Sequence, residues 1–154
     1  MNDAARDDAI RKAQAIAEEA ARAMYEQDNA SQALGMRVVE VRPGYACLKM
    51  KVREDMVNGH RLCHGGLIFT LADSAFAFAC NSYNMVTVAS GGAIEFLLPG
   101  SLGDELTAVA QEQSRARRTG VYDVVITNQA GAQVALFRGR SRQFEGREVS
   151  RKQD

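Results

Sequence analysis

Apolar residues recur at helical spacing near the start of the chain and alternate with polar residues in its second half. Residues 1–34 contain no Gly or Pro, and one thin apolar face is formed by Ile10, Ala13, Ala17, Ala20 and Met24. This spacing predicts a helix, and Leu34-Gly35 is typical of a helix end. We therefore expect one N-terminal helix over this segment, whose first residues can fray.

A second predicted helix, over residues 66–81, is apolar on nearly all sides. It follows a polar loop at 53–63 and carries the run LIFTLADSAFAFAC. A helix of this kind needs apolar cover all round. We therefore expect it at the centre of the domain.

Strand patterns surround this helix along the chain. They cover 36–41, 45–52, 85–98, 105–115, 121–128 and 133–144, with turns at Pro43-Gly44, Pro99-Gly100 and Ala130-Gly131. Short turns between sequential strands imply an antiparallel meander. The expected fold class is α+β, with a long central helix wrapped by a curved antiparallel sheet of about five to six strands, plus the N-terminal helix. The edge strands of such a sheet favour pairing with another subunit.

Composition narrows the classes of function. With 154 residues, of which 46% are hydrophobic and 25% charged, the chain is typical of one globular domain. Its formal net charge of zero argues against nucleic acids and anionic membranes as partners, since both select for excess Lys and Arg. No apolar stretch is long enough to span a membrane, and the N-terminus lacks the apolar region of a signal peptide. Three Cys without an export signal suit a reducing compartment, so we expect a cytoplasmic protein.

Asp73 is the first candidate for chemistry. Between Leu62 and Ile94 it is the only charged residue, and it lies inside the most apolar run of the chain. Burying an ionised carboxylate is unfavourable unless the group is paired, hydrogen-bonded or used in a reaction. Burial should raise the pKa of Asp73 and a facing helix N-terminus should lower it, so the sign of the shift stays open.

His64-Gly65-Gly66 directly precedes the apolar helix. Free N–H groups at a helix start suit a polarised carbonyl or oxyanion, although two glycines also form plain entry turns. Gly65 and Asp73 lie eight residues apart, which is about 12 Å along a helix and too far for one carbonyl. If the two act together, antiparallel helices from two subunits must supply them, and the site is intersubunit.

Four segments carry a family resemblance: NGHRLCHGGLIFTLADSAFAFACNS, the later VAS, IEFLLPGSLGDELTA and RRTGVYDVVITNQAGAQVALFRGRS. They closely resemble the phenylacetate-degradation thioesterases of the PaaI type, in the hot-dog-fold acyl-CoA thioesterase superfamily. The similarity covers roughly residues 20–142. It implies a variable helical extension at 1–20, a hot-dog thioesterase domain at 21–144 and a flexible tail at 145–154.

The resemblance also implies a reaction and a site. Asp73 would be the catalytic acid, as nucleophile or as base for water, and Gly65 would supply the N–H that polarises the thioester carbonyl. Asn58 and His64 would line the same pocket. The substrate would be phenylacetyl-CoA, a ring-hydroxylated form, or a related aryl or medium-chain acyl-CoA, hydrolysed without metal or cofactor. Candidate substrate-binding residues are Gly66, Phe76, Ser90, Arg117, Arg118 and Thr119.

The same resemblance implies an assembly. It predicts a homodimer with a continuous sheet and intersubunit sites, usually paired into a homotetramer. One position departs from a pattern found in some hot-dog thioesterases, which have Ser or Thr one turn after the acid. Here that position is Ala77, so the orientation of Asp73 would depend on Asn58, His64 or water.

Alternatives stay open at several residues. The cluster of Arg115, Arg117 and Arg118 suits either a solvated strand end or contacts to coenzyme A phosphates. Phe76 suits either core packing or an aryl pocket. His60, Cys63 and His64 are metal-ligand types, but adjacent residues 63 and 64 are poorly placed to share one ion. Two other functions also fit: a non-catalytic acyl-CoA sensor and a hot-dog hydratase or dehydratase.

Overall fold

The computed structural model describes residues 3–150 of the chain. Two helices form its beginning, α1 (Asp3–Gln27) and α2 (Asn29–Ala33), where the sequence pattern predicted one. The break occurs because Asp28 leaves the helical conformation and its side chain accepts a hydrogen bond from the backbone N–H of Ser31 at 2.9 Å, capping α2. Gly35 ends the segment in the left-handed conformation, at φ +66°, as predicted.

Six antiparallel strands form a single sheet. They are β1 (Arg37–Arg42), β2 (Tyr45–Lys51), β3 (Met85–Phe96), β4 (Glu105–Ala116), β5 (Thr119–Thr127) and β6 (Gln133–Glu148). Their spatial order is β1-β2-β4-β5-β6-β3. The predicted meander is therefore correct for β4, β5 and β6 and wrong for β3, which pairs with β6 at the far edge rather than with β4.

The connection from β3 to β4 accounts for this order, because it leads from the edge strand β3 to β4, which lies beside β2. The N–H of Cys63 donates to the carbonyl of Gly100 at 2.8 Å, and the N–H of Val52 donates to the carbonyl of Asp104 at 2.8 Å. These bonds hold the connection against the loop that enters the central helix. The chain therefore passes from β3, at the edge of the sheet, to β4, in its interior.

The central helix, α3 (Gly65–Asn81), contacts all six strands. Six strands laid flat would extend about 24 Å across, more than twice the width of a helix, so the sheet must curve around α3. Side chains on all sides of α3 are buried, including Leu71, Phe76 and Phe78. The expected fold class, a central helix wrapped by a curved antiparallel sheet, is confirmed.

Helix α1 packs against β1 and α3. Its contact face consists of small residues, Ala17, Ala20 and Ala21, which are almost completely buried and allow close approach. A short 3₁₀ helix (Glu54–Met56) lies in the loop before α3. No helix among residues 3–150 is both long enough and apolar enough to cross a membrane.

The last strand extends further than its sequence pattern predicted. Alternation of apolar residues ends near Phe144, but β6 continues to Glu148 because Met85 of β3 pairs with it there. Beyond the strand, Asn84 accepts from the N–H of Ser150 at 2.9 Å. Residues 145–148 therefore belong to the sheet, and residues 151–154 of the predicted tail lie outside the described part of the chain.

Candidate active site

Asp73 lies in the middle of α3 and is half-buried. Within residues 3–150, no side chain or backbone group forms a hydrogen bond or ion pair with its carboxylate. Burial raises the pKa of Asp73 above its ordinary value, and no neighbouring charge in the described part of the chain offsets this. The carboxylate therefore has no structural partner within residues 3–150, and its pKa is raised; both features are typical of a reactive group.

A cavity of about 390 Å³ opens in front of Asp73. Apart from the carboxylate its wall is mainly apolar, and three elements and the residue after β6 supply it. These are the last turns of α1 with Ala23, Met24 and Gln27, the face of α3 with Phe76, Ala77 and Asn81, the beginning of β3 with Val86, Thr87, Val88 and Ala89, and Val149. A cavity of this size and polarity can hold the acyl part of a small thioester.

Asn81 fixes the geometry between α3 and β3. Its side-chain N–H groups donate to the carbonyl of Ala77 at 2.9 Å and to the carbonyl of Thr87 at 2.8 Å. Its side-chain oxygen accepts from the N–H of Thr87 at 2.8 Å. Since every polar group of this buried amide is used, Asn81 holds the cavity together and is not free to bind a ligand.

The start of α3 presents an unpaired donor. Gly65 is the first residue of the helix, and in the described part of the chain its N–H has no acceptor. The ring of Phe96 lies over it, with Cζ only 3.0 Å from where a Cβ on Gly65 would be. A free N–H at the positive end of a helix and beside an aromatic ring is well placed to polarise a carbonyl.

His64 caps the helix and selects which N–H stays free. Its Nδ1 accepts a hydrogen bond from the N–H of Gly66 at 3.0 Å. A neutral imidazole whose Nδ1 accepts carries its proton on Nε2, so the outer edge of His64 is a donor. The predicted site residue Gly66 is therefore satisfied by His64, and Gly65 alone offers its N–H.

Asn58 lies in the loop that leads to α3. Its side-chain oxygen accepts from the N–H groups of His60 at 2.9 Å and Leu62 at 3.2 Å, which orders the loop. Its amide N–H₂ has no partner within residues 3–150. Asn58 and Gly65 line the same cavity of about 300 Å³, together with Phe96, Leu97 and Leu98.

Asp73 and Gly65 therefore line two different cavities of one chain. Both cavities touch the edge strand β3, because Val86–Ala89 border the first and Phe96 borders the second. Antiparallel pairing of two copies of β3 around Gly91 and Gly92 would bring the beginning of one strand beside the end of the other. The Asp73 cavity of one protomer would then meet the Gly65 cavity of its partner.

Burial makes two cysteines, Cys80 near Asp73 and Cys63 near Gly65, poor candidates for a nucleophile. Burial raises the pKa of Cys80 to about 12, so it remains a thiol at neutral pH. Cys63 is buried and its pKa is raised as well, which argues against a Cys63–His64 nucleophile pair. In residues 3–150, no three His, Cys, Asp or Glu side chains are grouped to hold a metal ion.

Phe76 belongs to both the core and the cavity. It is fully buried, and its ring centroid lies 5.5 Å from that of Tyr122 and 5.9 Å from that of Phe137. One side of the ring borders the Asp73 cavity. The two interpretations of Phe76 are thus compatible, since a core ring also forms the floor of the pocket.

The other substrate-binding candidates form a separate group at the turn between β4 and β5. Arg118 pairs with Glu145 at 3.1 Å, and Arg117 occupies the turn itself at φ +53°. Thr119 and Ser90 line a surface cavity of about 230 Å³ that Arg140 also borders. Arg115 lies beside Arg117 and Arg118, and its guanidinium stacks over the ring of Tyr83 at 3.8 Å.

Several site residues were missed by the sequence pattern. Met24 and Gln27 were assigned only to a helix, and Phe96 only to a strand. The exposed run Phe96-Leu97-Leu98 was a usable signal, because large apolar residues at a strand end need cover. Nothing local marks Met24, since its helical spacing is equally typical of core packing.

The fold belongs to the hot-dog class. The PaaI protein of Escherichia coli, from the phenylacetic acid degradation operon, superimposes with a TM-score of 0.86 and 48% identity, over 87% of this chain and 97% of that one. A Streptococcus mutans protein bound to acetyl coenzyme A superimposes with a TM-score of 0.70 and 28% identity, over 73% of this chain and 91% of that one.

Sequence comparison gives the family. Residues 60–135 match the thioesterase superfamily. The acyl-coenzyme A thioesterase PaaI of Escherichia coli K12 is 50% identical over 126 residues, which is 82% of this chain and 90% of that protein. The chain therefore belongs to the thioesterase superfamily, and the predicted resemblance to its PaaI type is confirmed.

Proposed function

We propose that this protein is an acyl-CoA thioesterase that hydrolyses phenylacetyl-CoA, ring-hydroxylated phenylacetyl-CoA and related aryl or medium-chain acyl-CoAs. The observation that carries the proposal is the unpaired carboxylate of Asp73 in an apolar cavity, together with the unpaired N–H of Gly65 at the start of the same helix. The relatives support the substrate class, because the Escherichia coli protein is an acyl-coenzyme A thioesterase and a hypothetical thioesterase protein of Streptococcus pneumoniae was solved with coenzyme A.

The chemistry follows from the two groups. The N–H of Gly65 donates to the thioester carbonyl and stabilises the oxyanion as the carbonyl carbon becomes tetrahedral. Asp73 either attacks that carbon or removes a proton from the water that attacks it. In the first route the C–S bond breaks to give a mixed anhydride and the CoA thiolate, and water then releases the acid. In the second route water adds directly, and the same C–S bond breaks.

The surroundings of Asp73 are compatible with both roles, nucleophile and general base. An apolar cavity leaves the carboxylate poorly solvated and raises its pKa, which makes the ionised group a stronger base and nucleophile. Asn58 and His64 lie on the Gly65 side of the site, where their free N–H groups can orient water or the thioester. Arg117 and Arg118 are proposed to lie near the phosphates of coenzyme A, with Ser90, Thr119 and Gly66 along its path.

The proposed active unit is a homodimer with two intersubunit sites, which pairs into a homotetramer. Gly65 and Asp73 are about 12 Å apart along one helix and line separate cavities in one chain. Pairing of two β3 edges supplies both groups to one carbonyl. All three cysteines are free thiols, which accords with the proposed cytoplasmic location.

Two matched substitutions test the assignment at Gly65. Proline is favoured at the first position of a helix and lacks an N–H, and His64 before it already has a compatible extended ψ of 129°. Gly65→Pro should lower kcat by about 10²–10³-fold, as expected for loss of one oxyanion donor. Gly65→Ala meets Phe96 in the same way but keeps the N–H, so it should retain most activity.

The assignment at Asp73 is tested with Asp73→Asn. Release of free thiol from phenylacetyl-CoA should fall by about 10²–10⁴-fold, while circular dichroism shows an unchanged fold. Full activity of Asp73→Asn would contradict the proposal. Tight binding of phenylacetyl-CoA without turnover by the unsubstituted protein would instead indicate a sensor.

A further inference from the structure

The last turns of α1 form one wall of the Asp73 cavity, although α1 ends more than thirty residues before the segment that contains His64, Gly65 and Asp73. Ala23, Met24 and Gln27 lie on one helical face, at positions i, i+1 and i+4. Ala23 is small and Gln27 is exposed, so Met24 contributes the large apolar side chain of this wall. Met24 is also packed against the hydrophobic core.

Tyr25 fixes the backbone beside Met24. Its hydroxyl donates to the carbonyl of Met36 at 2.6 Å, and its ring lies 6.5 Å from that of Phe78 on α3. Its carbonyl accepts from the side chain of Gln32 in α2 at 2.5 Å. The turn that carries Met24 is thereby tied to Met36, the residue before β1, and to α3 and α2.

A chain of hydroxyls connects this turn to the helix of Asp73. The hydroxyl of Ser31 contacts Asp28 at 2.6 Å and Ser74 at 3.0 Å. The carboxylate of Asp28 can only accept, so Ser31 donates to Asp28 and Ser74 donates to Ser31. Ser74 directly follows Asp73, and Ser31 is almost completely buried. The α1 wall is therefore positioned relative to the residue next to Asp73.

We infer that Met24 sets the size of the acyl group that the Asp73 cavity accepts. The inference rests on the proposed thioesterase function and adds a specificity-determining residue to it. The backbone of this wall is fixed, so the room left for an acyl group depends on the side chains that the wall carries, and Met24 is the bulkiest apolar one. The unbranched side chain of Met24 lines this cavity. The ring of Phe76 lines it as well and packs in the core against Tyr122 and Phe137.

The test compares two substrates of different size. Phenylacetyl-CoA and 2-naphthylacetyl-CoA differ by one fused ring, and kcat/KM is measured for both. Met24→Ala should raise the ratio of naphthylacetyl to phenylacetyl turnover by about tenfold or more, since even one methylene in an apolar pocket changes discrimination by 10–200-fold. Met24→Phe should shift the ratio in the opposite direction.

A matched control comes from the same helix. Glu19 is exposed on α1 and does not line the cavity, so Glu19→Ala should leave the ratio unchanged. The inference is overturned if Met24→Ala folds and its ratio of naphthylacetyl to phenylacetyl turnover equals that of the unsubstituted protein. If Met24→Ala does not fold, an unchanged ratio in Met24→Phe overturns it instead. Failure of the unsubstituted protein to hydrolyse any acyl-CoA would instead overturn the proposed function, which separates the two results.

Discussion

The two edges of the sheet are built in different ways. β1 has six residues, an irregular register between Val38 and Glu40, and ion pairs along its length; Gln14 of α1 donates to the carbonyl of Val41 at 2.8 Å. β3 has twelve residues, and Glu95 is the only one that is charged. Two of its large apolar side chains are exposed, Val88 at 45% and Phe96 at 54%.

This difference indicates which edge is made for pairing. Bulges, charges and a covering helix are the devices by which proteins protect a free edge, and β1 has all three. β3 also has an irregular register, between Met85 and Thr87 and between Ala89 and Gly91, but within residues 3–150 Glu95 is its only charged residue, and a long edge with so little charge favours association. Both cavities of the candidate site border β3, so the less protected edge is also the edge at which the two half-sites would meet.

The largest expected effect comes from placing a charge on β3. Ala93→Glu places a carboxylate of each copy on the seam that forms when two β3 strands pair around Gly91 and Gly92, with the two carboxylates about 10 Å apart along it. Arg138, opposite Ala93 on β6, is already paired with Asp123 and leaves this charge uncompensated. We expect a shift to monomer in size-exclusion chromatography with light scattering. Turnover should fall by about 10²-fold or more, because each Asp73 loses the oxyanion donor of its partner.

The matched control is Val39→Glu on β1. Val39 is 53% exposed on the protected edge, so this variant should keep both its assembly and its activity. An active monomer of Ala93→Glu would contradict the intersubunit site. Loss of assembly by Val39→Glu alone would reverse the roles of the two edges.

A second prediction sharpens the comparison by mixing subunits. Co-expressed Asp73→Asn and Gly65→Pro chains form mixed dimers in which one of the two sites combines both intact residues. Random pairing makes half of the dimers mixed, so roughly a quarter of full activity should return. Sites formed within one chain would give no recovery above the sum of the separate variants, which thiol release from phenylacetyl-CoA measures directly.

The smallest expected effect concerns stability. Burial raises the pKa of Asp73 in the folded state, so the unfolded chain loses its proton first as pH rises. The free energy of unfolding should therefore decrease with pH between the ordinary carboxyl pKa and the raised one, and then level off. Asp73→Asn has no such group, so it should be more stable than the unsubstituted protein near neutral pH and lose that advantage in acid.

Urea denaturation across pH 3–8 measures the difference in free energy of unfolding between Asp73→Asn and the unsubstituted protein. The same measurement in the Ala93→Glu background tests whether pairing of β3 affects Asp73. A helix N-terminus from a partner should lower the pKa of Asp73. The stability gain of Asp73→Asn is then expected to be larger in the monomeric background than in the assembled protein. An equal gain in both would show that no partner helix faces Asp73.

Much of the fold was predictable because its signals are local. The all-round apolar pattern of α3 requires burial wherever the helix lies, and turns such as Pro43-Gly44 limit strand length. The break at Asp28 was missed because Asp, Asn and Ser also occur inside helices. In the structure Asp28 accepts from the N–H and the hydroxyl of Ser31, and the contact of Ser31 with Ser74 on another helix supports this capped arrangement.

The sequence by itself determined the chemistry that is available. One carboxylate in an apolar helix and two glycines at the start of that helix follow from the order of residues, and so does the distance that keeps them apart. Tertiary structure decided the rest. Strand order placed β3 at an edge beside both cavities, and packing of α1 on α3 brought Met24 to the Asp73 cavity. Those contacts join residues far apart in the chain, and no local propensity specifies them.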